Sequence, residues 1–237
     1  MERIQDISEF DLITRLENIL GTSITQNPGE IHLSIGDDTA VLNPQEGVQL
    51  LTTDTMVENV HFLPEITSMK DLGWKSIASN YSDVASMGGR PISVVITLGL
   101  KPNQYVKDVE DIYHGVRDHC GKYGGYVVGG DIIRSETFFI SVTVLGVNES
   151  KTFMSRSSAS PGDQIAVTGE IGSAAAGLKL LSRVKTDPRN IPSQFITAHN
   201  RPIPKIQTGA TLLKSGVKTA MDISDGLVGD LMKVCHA

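Results

Sequence analysis

The sequence has few aromatic residues, few cysteines and no long apolar run. Aromatic side chains make up 5% of the 237 residues, so the predicted core depends on Ile, Leu, Val, Ala and Met. The two cysteines, Cys120 and Cys235, match no zinc-binding spacing, and free thiols in a reducing cytosol are favoured over a disulfide. No stretch approaches 18 consecutive apolar residues, and the first residues lack the apolar segment of a signal peptide. We therefore predict a cytoplasmic protein that does not cross a membrane.

The charge balance and two missing motifs exclude further classes of protein. The chain has 27 Asp and Glu against 21 Lys and Arg, which gives a net charge of -6. General nucleic-acid binding needs clustered basic residues, so no nucleic-acid partner is predicted. No Gly-x-x-x-x-Gly-Lys-[Ser/Thr] segment and no protein-kinase catalytic loop occur. Phosphorylated small molecules stay open as ligands, provided that metal ions mediate their contact with the acidic chain.

Strand and helix patterns alternate along the chain, which predicts an α/β or α+β fold. Runs of β-branched and apolar residues predict strands at 31–35, 39–42, 48–53, 92–100, 126–128, 138–147 and 164–168. Apolar residues at helical spacing predict helices that begin at Ser8 and at 71–87, 106–123, 173–182, 204–215 and 225–236. The polar composition of 148–163 predicts a linker. We therefore expect an N-terminal domain over 1–148 and a second domain over 149–237.

Short acidic segments are the strongest candidates for chemistry. They are Gly36–Asp38, Thr52–Asp54, Asn80–Asp83, Gly129–Asp131 and Asp222–Gly226. Most lie at a predicted strand end or in a Gly-rich turn, where α/β proteins place binding groups. A single Gly-Asp pair marks a turn more often than a ligand, because both residues favour turns for conformational reasons. Asp83 differs, because it lies inside an apolar helical pattern and a buried carboxylate needs a partner.

If several of these carboxylates meet in the fold, their mutual repulsion requires a cation. Two unit charges about 4 Å apart repel by about 1 kcal/mol in water and by about 4 kcal/mol at an effective dielectric near 20. A cluster then needs either bound cations or raised pKa values. Oxygen-only ligands favour Mg²⁺ or Ca²⁺ over zinc, and Mg²⁺ commonly bridges to substrate phosphates.

Five stretches, in this order and spacing, resemble thiamine-monophosphate kinases. They are 34–42 (SIGDDTAVL), 52–62 (TTDTMVENVHF), 74–88 (WKSIASNYSDVASMG), 129–135 (GGDIIRS) and 221–227 (MDISDGL). Arg156, Gly162-Asp163 and 167–178 also match, so the resemblance covers nearly the whole chain. This family belongs to a superfamily with aminoimidazole ribonucleotide synthetase and selenophosphate synthetase. Segment 52–62 separates it best from those relatives.

The resemblance implies an activity and a set of site residues. The activity is transfer of the γ-phosphate of ATP to thiamine monophosphate, with several Mg²⁺ ions as cofactors. By position, the residues that resemble magnesium ligands are Asp38, Thr52, Thr53, Asp54, Asp83, Asp131, Asp222 and Asp225. Those that resemble nucleotide contacts are Gly130, Arg156, Ser224 and, in a looser alignment, Tyr113.

Two of the implied roles compete with simpler interpretations. His61 resembles a residue that contacts the thiamine phosphate, but a lone His beside Val60 and Phe62 is also typical of a half-buried structural residue. Arg156 is surrounded by serines, and without the family resemblance this setting would indicate a solvated surface residue.

The resemblance also implies a fold and an assembly. We expect an N-terminal mixed-sheet domain of the aminoimidazole ribonucleotide synthetase type, followed by an incomplete C-terminal α/β domain. The N-terminal domains of two subunits would pack their strands into a barrel-like core, forming a homodimer. The family pattern continues past the position of Ala237, with a Gly-Gly-Glu-Asp-Tyr-Glu-like segment that helps to hold thiamine. Within the matching stretches, Ile132 and Ile133 replace common Thr residues, and Asn59 replaces a common Gly.

The implied reaction needs no general base. A phosphate monoester has a second pKa of about 6, so the acceptor is mostly a dianion at neutral pH. Two anions must be brought together, which metal ions and Arg156 would make possible. We predict direct transfer without a phosphoenzyme. Two alternatives stay open: a sister ATP-dependent synthetase, against which 57–62 (VENVHF) argues, and a truncated, catalytically inactive nucleotide-binding or assembly module.

Overall fold

The computed structural model describes residues 1–27, 29–182 and 191–237 and has a mixed α/β fold, as predicted. Within these ranges, the strands are β1 (Ile31–Leu33), β2 (Val41–Leu42), β3 (Val48–Val57), β4 (Arg90–Leu100), β5 (Tyr126–Arg134) and β6 (Phe139–Asn148). The α-helices are α1 (Glu9–Leu20), α2 (Thr22–Thr25), α3 (Met69–Ser86), α4 (Val106–Tyr123), α5 (Ser173–Ser182), α6 (Ser193–Asn200), α7 (Ile206–Lys214) and α8 (Leu227–Cys235).

The main sheet has the strand order β3–β6–β4–β5. Strand β6 is antiparallel to both β3 and β4, whereas β4 and β5 are parallel and joined through α4. The strands β3, β4 and β5 therefore run in one direction and β6 runs against them. A small antiparallel pair, β1 and β2, precedes this sheet in the chain.

Helices cover one face of the main sheet and leave the other open. Side chains alternate along a strand, so Val94 and Ile96 of β4 and Val142 of β6 lie buried beneath α3 and α4 in the main hydrophobic core. The opposite face of the sheet carries apolar side chains that reach solvent, among them Leu51, which is 74% exposed, and Val95.

Two glycines allow α3 and α4 to pack closely. A Cβ atom at Gly73 would collide with the backbone oxygen of Ile112, and one at Gly115 would collide with that of Lys70. The two backbones therefore touch where a larger residue would hold them apart. Ser68 accepts a hydrogen bond from the N–H of Asp71 and fixes the start of α3.

The chain after β6 docks on the outer side of α3. The indole N–H of Trp74 donates a 2.9 Å hydrogen bond to the carbonyl of Pro202, and Arg201 pairs with Asp71. Near the other end of α3, Gly209 of α7 lies against the carbonyl of Ala85. Helix α3 is thus shared between the sheet and the C-terminal helices.

Several sequence-based element predictions differ from the structure. The strand predicted at 126–128 continues to Arg134, so Gly129–Asp131 lies inside β5 and not in a turn after it. The strand predicted at 164–168 has no partner strand among the described residues, and a strand requires one. The strand predicted at 48–53 continues to Val57, and helices α2 and α6 were missed. Nowhere in 1–27, 29–182 and 191–237 is a helix long and apolar enough to span a membrane.

Candidate active site

The candidate site begins where strand β3 crosses helix α3. Thr52 and Asp54, two residues apart, share the side of β3 that faces the helix. The hydroxyl of Thr52 donates a 2.6 Å hydrogen bond to Oδ2 of Asp83 on α3. This bond joins two of the predicted acidic segments, which are distant in the sequence.

A third acidic segment reaches the same place from the C-terminal part. Asp222 lies between α7 and α8, and Ser82 of α3 acts on its carboxylate by lowering its pKa. Burial and the nearby charges of Asp83, Asp230 and Asp54 raise the pKa of Asp222 to about 6, which outweighs the lowering effect of Ser82. Asp222 therefore lies within the electrostatic reach of both Asp83 and Asp54.

The charges at this site are mainly negative. Partial burial and the charge of Asp83 raise the pKa of Asp54, and only His61 lowers it. Among the described residues, no Lys or Arg pairs with Asp54 or Asp222. The charges of Asp54, Asp83 and Asp222 thus act on one another without a Lys or Arg partner, which is an arrangement that attracts cations.

A tight turn after β3 orients His61. The ring nitrogen Nδ1 accepts a 3.1 Å hydrogen bond from the N–H of Val57, so the neutral imidazole carries its proton on Nε2. Asn59 has a φ of +62°, in the left-handed region. Glycine adopts this region freely and Asn tolerates it better than most residues, so Asn can stand at a position where the family commonly has glycine. The turn is anchored by Phe62, whose ring packs edge-to-face on Phe138 at 5.5 Å.

The carboxylates fit an open metal site better than a closed one. In the part of the chain that the structure describes, no three His, Cys, Asp or Glu side chains converge closely enough to enclose an ion. The donors are nevertheless all oxygens and the charges lack basic partners. This combination suits Mg²⁺, which keeps water ligands and is commonly bound by one or two carboxylates together with substrate phosphates.

Three of the predicted ligands in the N-terminal part do not join this cluster. Thr53 lies on the open face of the sheet, where its hydroxyl donates a 3.1 Å hydrogen bond to the carbonyl of Val142. Strand register places Asp131 beside Thr97 on the same open face. Asp38 is exposed in the loop between β1 and β2.

Two predicted nucleotide contacts lie within the N-terminal fold. Gly130 is in the middle of β5, where a Cβ atom would collide with the carbonyl of Ile96. Tyr113 is on α4, only 7% exposed, and its side chain forms part of the main hydrophobic core.

The remaining predicted residues lie around the start of α8. Arg156 opens a short 3₁₀ turn, Arg156–Ser158, that packs against α8. Ser224 is exposed in the segment before the helix. Asp225 pairs with Lys233 at 2.7 Å, and Asp225 is absent from the charges that act on Asp222.

Sequence reasoning missed two residues that shape the site. Ser82 was noted only as part of an acidic segment, although it lowers the pKa of Asp222. Asp230 accepts backbone hydrogen bonds from the segment before α8 and was not noted at all. Its position in the first turn after Gly226 was a usable signal, because carboxylates in a first turn often bind free backbone N–H groups.

Comparisons with known proteins place the chain in a family. Residues 36–148 match the family described as AIR synthase related protein, N-terminal domain. Thiamine-monophosphate kinase of Bacillus subtilis is 35% identical over 236 residues, which cover 98% of this chain and 71% of that protein.

Solved structures agree with the sequence comparisons. The crystal structure of thiamine-monophosphate kinase from Stenotrophomonas maltophilia matches with a TM-score of 0.82 and 31% identity, covering 97% of this chain and 72% of that one. AaThiL complexed with AMPPCP and TMP matches with a TM-score of 0.74 and 36% identity, covering 100% of this chain and 72% of that one. The chain therefore belongs to the thiamine-monophosphate kinases, a family of phosphate-transferring enzymes.

Proposed function

We propose that this chain binds ATP and thiamine monophosphate and transfers the γ-phosphate to give thiamine diphosphate and ADP. The observation that carries the proposal is the mutual effect of the charges of Asp54, Asp83 and Asp222, none of which pairs with a Lys or Arg among the described residues. The similar AaThiL was solved with AMPPCP, an ATP analogue, and with TMP, which supports this choice of substrates. A cytoplasmic location is part of the same proposal.

The cluster is where Mg²⁺ would be held. Asp54, Asp83 and Asp222 would supply carboxylate oxygens, and the Thr52 hydroxyl would keep Asp83 oriented. When bound, Mg²⁺ would neutralise charge on the two phosphate groups. Because these positions match the family, we also propose Asp38, Thr53, Asp131 and Asp225, which lie outside this cluster, as ligands of further ions. On the same ground we propose Gly130, Arg156, Ser224 and Tyr113 as nucleotide contacts.

The reaction we infer is a direct in-line displacement. An oxygen of the thiamine phosphate forms a bond to the γ-phosphorus while the bond from that phosphorus to the bridging oxygen of ADP breaks. No proton has to be removed, because the acceptor is mostly a dianion at neutral pH. His61, with its proton on Nε2, would donate a hydrogen bond to the acceptor phosphate and orient it.

A turnover assay of the purified chain tests the proposal. With ATP, thiamine monophosphate and Mg²⁺, we expect thiamine diphosphate and ADP in equal amounts, and no product when EDTA is added or in Asp83→Asn. Binding of ATP without product would contradict the proposal and identify a nucleotide-binding module. Turnover with an aminoimidazole precursor in place of thiamine monophosphate would identify a sister synthetase.

We also propose that two copies pair through the open face of the main sheet. Leu51 and Val95 expose apolar surface there, and Thr53 and Asp131 lie on the same face. Leu51→Glu should turn the dimer into a monomer in size-exclusion chromatography with light scattering. Phe10→Glu, on the exposed side of α1, is the matched control and should leave the mass unchanged. A wild-type monomer would refute this assembly.

A further inference from the structure

A single buried carboxylate organises the segment that carries Asp222. Asp230, in the first turn of α8, is 3% exposed. Its Oδ2 accepts three backbone hydrogen bonds, from the N–H groups of Ser224 at 2.9 Å and of Asp225 and Gly226 at 3.0 Å each. Three consecutive amides therefore converge on one oxygen atom.

Free N–H groups near the start of a helix attract anions. In this chain the N–H of Gly226, which precedes α8, and those of the two residues before it bind a carboxylate of the helix itself. Gly226 adopts a φ of +130°, which permits the bend that turns the amides inward. The segment before α8 is thus wrapped around a side chain of its own helix.

The negative charge of Asp230 matters to this arrangement. Burial by itself raises the pKa of Asp230, but the ammonium of Lys233 and the N–H groups of Gly226 and Asp225 outweigh it and hold the pKa below its usual value. Lys233 lies 2.8 Å from Oδ1 of Asp230. Hydrogen bonds to an ionised acceptor are about twice as strong as neutral ones.

The wrapped segment leads directly to the acidic cluster. Asp222 lies two residues before Ser224, and the charge of Asp83 on α3 helps to raise the pKa of its carboxylate. The backbone of 224–226, which follows Asp222 directly, is anchored by Asp230. Release of this anchor would free the backbone that sets the position of Asp222.

We propose that Asp230 is a positioning residue, which fixes the backbone of 222–226 so that Asp222 stays beside Asp83. That Asp230 fixes the backbone of this segment rests only on its three hydrogen bonds to the amides of 224–226. That the fixed backbone affects metal binding rests on the function proposed above for Asp222. The fixed backbone and the metal binding are therefore measured separately, so that the failure of either is recognised by itself.

Amide hydrogen exchange tests the order of the segment without any activity. In the wild-type chain we expect the amides of 224–226 to exchange slowly, and in Asp230→Asn to exchange at least about tenfold faster, because a neutral amide oxygen is the weaker acceptor. Asp11→Asn is the matched control, since Asp11 is also a first-turn carboxylate, with a 2.7 Å hydrogen bond from Ser8. Equal exchange at 224–226 in wild type and Asp230→Asn would overturn the proposal.

Binding of Mn²⁺, which also prefers oxygen ligands, tests the link to Asp222. We expect Asp230→Asn to weaken Mn²⁺ binding about 10- to 100-fold, the usual effect of losing a residue that orients a ligand. In an Asp222→Asn background the same change should have no further effect. Additive losses would show that Asp230 does not act through Asp222, and the positioning role would fall.

Two further outcomes are also decisive. If Asp230→Asn does not fold, Lys233→Met replaces it, because this variant removes one partner of Asp230 but keeps the carboxylate. Amide protection at 224–226 and Mn²⁺ affinity should then both fall, by less than in Asp230→Asn. Unchanged protection and affinity in Lys233→Met would count against the proposal. If the wild-type chain binds no Mn²⁺ and gives no turnover, the proposed function fails, and the exchange result alone decides the role of Asp230.

Discussion

The hydroxyl of Thr52 donates a 2.6 Å hydrogen bond to Oδ2 of Asp83, which ties the middle of β3 to α3. A side chain that orients a metal ligand typically changes metal affinity about 10- to 100-fold when it is removed. We therefore expect Thr52→Val, which keeps the shape but removes the hydroxyl, to raise the Mg²⁺ concentration for half-maximal turnover by about that factor.

Thr52→Ser is the matched control for this prediction. Serine keeps the hydroxyl donor and loses only a methyl group. In Thr52→Ser the Mg²⁺ concentration for half-maximal turnover should therefore stay within about threefold of the wild-type value, whereas in Thr52→Val it should rise by the larger factor given above. If the two variants have the same Mg²⁺ dependence, the hydrogen bond to Asp83 has no part in metal binding.

Asp54→Asn should separate activity from stability. Burial and Asp83 raise the pKa of Asp54 in the folded chain, so the folded state holds this proton to a higher pH than the unfolded state does. Stability therefore falls as pH rises through that interval, and at pH 7 the ionised carboxylate is unfavourable without a cation. We expect Asp54→Asn to lose turnover by more than about 100-fold and yet to melt no lower than the wild type in metal-free buffer.

Differential scanning fluorimetry with and without Mg²⁺ checks this trade-off. Mg²⁺ should raise the melting temperature of the wild type and have little effect on Asp54→Asn. A variant that melts clearly below the wild type in EDTA would mean that Asp54 has a structural role, and normal turnover would remove it from the metal site.

His61 variants can distinguish substrate contact from structural support. Because Nδ1 accepts the N–H of Val57, the group free to meet substrate is Nε2–H. His61→Gln places an amide near the former Nε2, whereas His61→Asn reaches only as far as Nδ1. We expect His61→Asn and His61→Ala to raise the KM for thiamine monophosphate about tenfold or more with little change for ATP, a loss of roughly 1.4 kcal/mol of binding.

His61→Gln should recover part of the affinity for thiamine monophosphate. Steady-state kinetics with each substrate varied in turn provides the comparison. If all three variants change both KM values alike, His61 stabilises the turn 57–62 and does not contact the substrate.

Local sequence patterns predicted most of the helices and strands, but they did not predict contacts between residues that are distant in the sequence. The helix predicted at 106–123 has the same bounds as α4, because its apolar spacing and Gly124 mark both ends. Gly129-Gly130 was interpreted as a turn, but Gly130 is required by the close approach of β5 to Ile96. A pair of glycines in a sequence does not distinguish a turn from a strand that packs against a neighbouring backbone.

The meeting of Asp54, Asp83 and Asp222 was suggested only by family resemblance. The residues themselves indicate what converging carboxylates would require, but convergence depends on strand register and on how the C-terminal helices dock. Asp230 was missed for a different reason. Its place in the first turn of α8 was a usable signal, but its three backbone partners depend on how the segment 224–226 folds back on the helix.

His119 predicts a pH dependence that is independent of the candidate site. It is 0% exposed, its ring lies 4.8 Å from Trp74 and 4.9 Å from Tyr81, and neither ring nitrogen has a hydrogen-bond partner. Burial, helped by the charge of Lys122, lowers the pKa of His119 to about 3. Below pH 6.5 the unfolded chain binds a proton that the folded chain does not. The free energy of unfolding therefore falls by about 1.4 kcal/mol for each unit by which the pH is lowered.

Urea denaturation at several pH values between 7 and 5 measures this effect. In His119→Phe the titrating group is gone while an aromatic ring still fills the space, so the loss of stability between pH 6.5 and pH 5 should shrink by about 2 kcal/mol. His199, whose pKa burial and Lys75 lower to about 4, accounts for part of the loss that persists. His32→Gln, on the exposed side of β1, should leave the profile unchanged. If the free energy of unfolding falls with pH as steeply in His119→Phe as in the wild type, His119 must be protonated in the folded chain. That outcome would contradict the prediction, because the apolar surroundings of His119 disfavour its charged form.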